Sequence, residues 1–491
     1  MDNIYGVLQS IYISFILLIP FISFSQSHDF IWITDINDGS IEPNAGNILN
    51  FSTTPPSINS DILNIPTYVT LSSIFDKNGN LIFYSNGIHI MNSNYELMEN
   101  GNNIITGEVA DNFENIGYTG LESIFVLPKP SNENQYFLIY GKDVFNTFQR
   151  VPQLYYSVVD MNLDNGKGAV IEKEQLIGET IYFDHATATK HANGRDWWVI
   201  TPHIHNTQYF TFLLTPNGIV DTFTQTMTYY KPPYQDILNN IDRGGMNNFS
   251  PDGNIYVDYD AYMGIRIFEF DRCTGYLNDP PIVIPYEPEN NFSWEHARAA
   301  SISPNSRFLY ISRGLLPETN IIIQFDLSAE NILSSADTVA FYDGFSDPLP
   351  NLFDVSQLMP DGKIYISTYG QARHLHYIDQ PNLKGSSCNV VQHGVELPNY
   401  YWYSKPHFPN YRLGSSEPVC DPDIVLDLST PVVEVVPDEG ERVRIYPNPA
   451  TNFIKVEGIE EVLWVNIFDA NGRAIQSFEL SPAQNEIDIS R

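Results

Sequence analysis

Basic residues are scarce: 25 Lys and Arg face 59 Asp and Glu, for a formal charge of −34 over 491 residues. A polyanion of this size repels phosphate backbones, which excludes nucleic acid as a partner. Cysteine is almost absent as well. Cys273, Cys388 and Cys420 fit no Cys-x-x-Cys metal or redox pattern, and an odd count leaves one thiol over if a disulfide forms. Cys388 with Cys420 is the preferred pair, since that bridge would tie the last repeat to the segment leaving it. Long apolar runs are lacking too. The one candidate, Ile11 to Phe24, is broken by Pro20 and is short for a membrane span, and no later stretch is longer. With Ser23-Phe24-Ser25 behind it, the run reads as a secretory signal over residues 1–25, cut before Gln26, although no Lys or Arg precedes Lys77.

What is abundant is aromatic and turn-forming. Aromatics make up 13% of the chain and charged residues only 17%, with 33 Pro and 30 Gly. That balance favours an all-β chain. A turn followed by alternating aliphatic and aromatic residues recurs along it. The clearest copies are Met359-Pro360-Asp361-Gly362-Lys363-Ile364-Tyr365-Ile366 and Ser250-Pro251-Asp252-Gly253-Asn254-Ile255-Tyr256-Val257. With Phe83, Phe137, Trp198, Tyr256, Tyr310 and Tyr365 as the ruler, the intervals are 54, 61, 58, 54 and 55 residues. Repeats of this length predict a β-propeller built from four-stranded blades. Six motifs predict six blades, and residues 28–60 leave room for a degenerate seventh. Phe30-Ile31-Trp32-Ile33 is expected to be a latch strand completing the last blade. In several repeats an apolar strand ends in an acid, as at Asp160, Asp271, Asp326 and Asp379, which suits acceptance of backbone N–H groups from the next turn.

Residues 413–442 are rich in acids and proline and are expected to be an extended linker. A second small β unit follows from residue 443.

Two resemblances rest on these residues. The Pro-Asp-Gly repeats resemble Trp-Asp-repeat-like and TolB-like propellers. Phe83-Tyr84-Ser85-Asn86-Gly87, Lys190 to Trp198 and Gln324 to Leu327 resemble secreted Bacteroidetes surface propellers. Arg444-Ile445-Tyr446-Pro447-Asn448-Pro449-Ala450-Thr451-Asn452, with Asp469 and Gly472-Arg473, resembles the C-terminal sorting domain of type IX secretion cargo. This second resemblance implies a small immunoglobulin-like β-sandwich over 443–491, incomplete because the family normally continues past the position of Arg491. It assigns the sorting motif to Tyr446, Pro447, Asn448, Pro449, Ala450, Asp469, Gly472 and Arg473. It also implies the type IX machinery as a partner and delivery outside the cell.

Candidate chemistry is sparse. His203 and His205 share a face in a strand, the arrangement a Zn²⁺ site on a sheet would use, but no HExxH or Cys pair accompanies them. Packing is the favoured reading. Asp76-x-Asn78-x-Asn80 imitates the start of an EF-hand loop, yet Gly79 comes early and Gly87 stands where the Glu is needed, so a hairpin turn is expected. No cofactor is expected beyond weak Ca²⁺ on exposed acids. Trp197 and Trp198 beside Arg195 suit blade core better than a sugar platform. The combination of signal, repeats, linker and sorting domain, with no catalytic constellation, points to an adhesion or binding module for a surface glycan or protein. The alternative is an extracellular hydrolase or lyase with acids at the channel mouth.

Overall fold

The computed structural model describes residues 28–34, 45–67, 71–76, 78–118, 124–146, 149–179, 185–203, 207–228, 245–260, 264–284, 297–314, 316–368, 370–402, 406–416, 420, 444–446, 453–457, 463–468, 474–482 and 486–488. The signal segment and most of the acidic linker lie outside them. The chain divides into two units, residues 1–419 and 420–491.

The first unit is a seven-bladed β-propeller. Blade I comprises Ile31–Thr34, Ala45–Asn50 and Ser57–Ile62, and blade II Ser72–Phe75, Leu81–Ser85 and Ile90–Asn92. Blade III is drawn out, with Ile124–Pro128, Gln135–Asn146, Gln149–Asp160 and Ala169–Glu179. Blade IV holds Thr187–Lys190, Trp197–Pro202, Gln208–Thr215 and Gly218–Thr226. Blade V follows with Asn247–Phe249, Ile255–Asp260, Gly264–Glu269 and Ile282–Ile284. Blade VI has Ala297–Ile302, Phe308–Arg313, Ile321–Asp326 and Asp337–Phe341. Phe353–Leu358, Ile364–Thr368, Gln371–Ile378 and Val390–Trp402 make blade VII. All pairings are antiparallel meanders, and first strands of neighbouring blades lie side by side around the axis.

Why the second strands are aromatic follows from burial on both faces. Alternate side chains of a strand leave on opposite sides, and a blade has a neighbour on each side. Trp197 and Val199 join one apolar cluster with blade III, whereas Trp198 and Ile200 join another with blade V. All six ruler aromatics are buried. Each such ring removes roughly 150–250 Å² from water, about 4–6 kcal/mol of transfer free energy. Trp197 and Trp198 are therefore blade core, and neither is open to a sugar.

The turns obey the local chemistry expected of them. Asp76 Oδ1 accepts the N–H groups of Asn78 and Asn80, both at 2.8 Å, and its Oδ2 accepts Asn80 Nδ2 at 2.9 Å. Donors surround this carboxylate, as a hairpin requires. The acids ending the third strands behave alike: Asp160, Asp271 and Asp326 each accept the backbone N–H two residues on. A residue entering the second strand also reaches three of these acids, Gln135 to Asp160, Arg307 to Asp326 and Lys363 to Asp379.

Blade I corrects the latch expectation. Ile31–Thr34 pairs with Ala45–Asn50 in a sheet of its own and adds nothing to blade VII. In this blade no turn motif directly precedes the second strand, so the spacing of turns registered only six repeats. Closure is made instead by a side chain: Asn47, wholly buried, donates Nδ2 to the Asn399 carbonyl at 3.1 Å and accepts the Asn399 N–H at 2.9 Å. One amide thus imitates a strand partner for the last strand of blade VII.

The second closing device is the segment leaving blade VII. Residues 406–416, which we call the strap, run across the channel end where the first strands finish. Tyr411 donates to the Val126 carbonyl of blade III at 2.7 Å, and its ring meets Trp197 of blade IV edge-on. Asn410 Nδ2 reaches the Pro251 carbonyl at 2.7 Å, and the Ser416 N–H the Ala192 carbonyl at 2.9 Å. Arg412 pairs with Asp29, before blade I, at 3.0 Å. Turn glycines make room for the strap: Gly194 (φ 71°) and Gly253 (φ 75°) take a left-handed backbone, and a Cβ would lie 2.5 Å from Ser415 N or 2.7 Å from Leu413 Cδ2 respectively. Contacts of the strap with the ring run through Ser416.

The second unit contributes two small antiparallel sheets. Phe453–Glu457 pairs with both Arg444–Tyr446 and Glu486–Asp488, and Leu463–Phe468 pairs with Ala474–Leu480.

Tyr411→Ala should cost about 3–5 kcal/mol through the lost aromatic volume, and Tyr411→Phe only about 1 kcal/mol through the lost hydrogen bond. Urea unfolding monitored by tryptophan fluorescence tests this ranking. A fall for Tyr411→Ala no larger than for a surface substitution would show that the strap does not brace the ring.

Candidate functional site: the strapped end of the channel

Beneath the strap lies a cleft of about 230 Å³. First strands contribute Thr187, which opens that of blade IV, Asn248 and Phe249, which close that of blade V, and Gln357, next to last in that of blade VII. The turns of blades V to VII supply Pro251, Pro304 and Pro360, and the strap supplies Phe408, Asn410 and Arg412. The motif that sets the blade spacing therefore also builds the rim of this cleft.

Polar groups here are held in place by the fold. Asn248 gives an N–H to the Ala300 carbonyl at 3.2 Å, fixing it between blades V and VI. Gln357 brackets the Phe408 main chain, Nε2 to the carbonyl at 3.4 Å and Oε1 from the N–H at 3.5 Å. Asn410 Oδ1 accepts the Arg412 N–H at 3.1 Å. Asp29 and Arg412 meet through both carboxylate oxygens at 3.0 Å. Burial drives the Asp29 carboxyl up to about 6 from its ordinary 3.8, outweighing the opposing pull of the Arg412 guanidinium. Beside the cleft, Lys190 lies 3.7 Å over the Trp197 ring, and burial depresses its ammonium to about 7 against the pull of Asp196.

The expected site residues are scattered. His203 is half-buried where blade IV turns from its second strand to its third, and its N–H bonds to the Gln208 carbonyl; His205 lies outside the described residues. No group of three or more His, Cys, Asp or Glu side chains among the described residues has the geometry to hold a metal. The disulfide expectation is overturned. Cys388 is a free, buried thiol, whereas Cys273 and Cys420 are disulfide-bonded. Cys388 sits in apolar packing between blades VI and VII with Tyr310 and Ile378, where no second sulfur reaches it. Of the sorting motif, Tyr446 is in a described strand; Pro447, Asn448, Pro449, Ala450, Asp469, Gly472 and Arg473 lie outside the described residues.

Sequence reasoning missed Asp29, Asn248, Gln357, Asn410 and Arg412. The only signal was Phe408-Pro409-Asn410-Tyr411, an aromatic stretch beyond blade VII with no strand to belong to. It also passed over a cluster on blade VII, where His393 bonds Asp343 at 2.9 Å and stacks on Phe345, and His374 faces Asp347. Beneath it His376 is wholly buried, and burial lowers its pKa to about 3, so it is neutral at physiological pH.

Residues 444–491 match the family of secretion system C-terminal sorting domains. The chain ends in a type IX sorting domain. That domain implies handling by the type IX secretion system and export to the cell surface or medium. No helix among the described residues is long and apolar enough to cross a membrane. No curated protein matches the sequence. Among solved structures, the chain is similar to a putative 6-phosphogluconolactonase from Bacteroides fragilis, at 12% identity over 76% of this chain and 96% of that one, with a TM-score of 0.44. It is also similar to the periplasmic gluconolactonase of Pseudomonas aeruginosa, at 11% identity over 93% and 98% of the two chains, with a TM-score of 0.37. A third likeness is the Dos1 propeller, at 12% identity over 68% of this chain and 76% of that one, with a TM-score of 0.35. Likeness at this level assigns no activity here, and the fold is read from the strand pairing itself.

Two outcomes follow. Because its folded pKa is raised, Asp29 binds a proton more tightly in the native than in the unfolded chain, so its contribution to stability declines as pH rises from about 4 to about 6. The stability difference between wild type and Asp29→Asn should fall across that window and level off above it; thermal melts at closely spaced pH values would refute this by showing a constant difference. Thiol titration without reductant should find one reactive group per denatured chain and none in the native protein, because burial shields Cys388 and raises its pKa.

Proposed function

We propose that the protein is a secreted or surface-displayed binding module, with a signal segment over 1–25, a propeller over 26–412, an acidic linker over 413–442 and a sorting domain over 443–491. The observation that carries this reading is the cleft at the strapped end. Its shape comes from three blade turns and the strap, and its polar side chains are amides, the Thr187 hydroxyl and one internally neutralised ion pair. Pre-assembled polar groups among apolar walls are what recognition of a small ligand needs. Other buried carboxylates serve the fold: Asp258 holds Arg266 and Tyr209 at 2.8 and 2.5 Å, Asp196 holds Arg195, and Asp326 holds Arg307. The ligand class is a surface glycan or protein on the outside of a cell.

One observation favours the hydrolase reading. Asp29, poised at about 6 beside Arg412 in the cleft, has the elevated carboxyl pKa that general acids use near neutral pH. The two readings separate cleanly. Glycan-array and cell-surface binding by the full chain, unaffected by Asp29→Asn and unaccompanied by turnover in ester, lactone and glycoside screens, supports a binding module. Turnover that falls at least about 100-fold in Asp29→Asn, with no retained binding to arrays or cells, would replace it with an enzyme.

A further inference from the structure

The cleft's chemistry narrows what it takes, and this step rests on the binding reading above. Its volume of about 230 Å³ lies just below the roughly 300–1,000 Å³ usual for small-molecule pockets. A ligand the size of one six-membered ring is of the right order for such a cleft. Among the described residues, the charged side chains lining it, Asp29 and Arg412, neutralise each other through two 3.0 Å contacts, so these residues offer no net charge to an ionic ligand.

The remaining polar lining is neutral and two-sided. Asn248, Gln357 and Asn410 each carry both a donor and an acceptor, and Thr187 adds a hydroxyl. Their existing bonds use part of their capacity: Asn248 gives one N–H to Ala300, Gln357 gives Nε2 to the Leu358 and Phe408 carbonyls at 3.2 and 3.4 Å and keeps only a 3.5 Å contact on Oε1, and Asn410 gives one N–H to Pro251 and accepts one from Arg412. Arg412 is held by Asp29 along one edge, leaving its other N–H donors. Between these groups stand the largely buried Phe249 and Phe408 and the turn prolines, which supply the apolar part of the lining. Alternating neutral hydrogen-bonding groups with apolar walls complement a molecule that carries hydroxyls on its edge and C–H bonds on its faces.

We propose that the cleft binds one neutral pyranose ring, as a free sugar or as the terminal unit of a glycan. The strap supplies part of the recognition surface as well as closing the propeller. Thr187, Asn248, Gln357, Asn410 and Arg412 address the hydroxyls, and Phe249 and Phe408 the faces of the ring.

The test uses the full chain with free glucose, galactose, mannose and N-acetylglucosamine, set against glucuronate and gluconate, read by saturation-transfer NMR. At least one neutral sugar is expected to bind with millimolar affinity and both acids more weakly. Asn248→Leu and Gln357→Leu should each weaken that sugar by about tenfold or more, the loss of one hydrogen bond or its equivalent, while melting close to wild type. Should both variants unfold, hydrogen exchange of the wild-type protein serves: the sugar should protect amides at 247–250 and 407–412. Absence of saturation transfer from every neutral sugar, tighter binding of the acids, affinities unchanged in the variants, or protection elsewhere would each overturn the proposal. Array binding that persists in both variants would place recognition outside the cleft and leave the binding-module reading standing.

Discussion

The structure depends on closing a ring of sheets without sharing a strand between its ends. Each blade can bury its faces only against neighbours, so an open ring would leave the faces of blades I and VII in water. Many closed sheets solve this by completing one blade from both termini. Here the Asn47 amide pairs with the main chain of Asn399, and the strap fastens blades III, IV and V together with the residues preceding blade I. Hydrogen bonds position the join, but aromatic burial gives it strength. Tyr411 is packed against Trp197, Phe408 and His28, and all four are buried.

The same economy of parts explains why turn sequence and axial cleft coincide. A Pro-Asp-Gly or Asn-Gly turn joins the first strand of a blade to the second, so all such turns gather at one end of the channel. Those turns must be compact, and at Gly194 and Gly253 they must also lack a side chain, because the strap passes directly over them. Positive φ alone would admit Asn at these positions; the strap does not. The constraint of a tight turn and the constraint of the strap therefore fall on the same residues.

Much of the fold was legible because propellers repeat. Phe83, Phe137, Trp198, Tyr256, Tyr310 and Tyr365 are all buried, and the acids at 160, 271 and 326 cap their turns as local chemistry dictates. Blade I was invisible to that argument since no Pro-Asp-Gly or Asn-Gly motif directly precedes its second strand, Ala45–Asn50. The cysteine pairing failed for a different reason. Nearness in sequence between Cys388 and Cys420 carries no weight in a ring that places residue 388 inside an interblade core. The cleft was illegible because its parts come from residues 29, 187, 248, 357 and 412, which no local pattern links. The sorting domain was legible from a short proline-rich string, since that string carries its meaning without any long-range context.

The strap lies after every blade in the chain, and its partners lie far upstream: Arg412 meets Asp29 across 383 positions, and Asn399 meets Asn47 across 352. Blades made of contiguous meanders can condense one after another as the chain emerges, each from local contacts. The first of them must nevertheless wait, one face unsatisfied, until the last has formed and the residues beyond it are free to fold back. Bringing such distant ends together carries the entropic cost of closing a very long loop, which slows the final step far more than it weakens the finished molecule. Vectorial maturation of this toroid thus ends with a single late event.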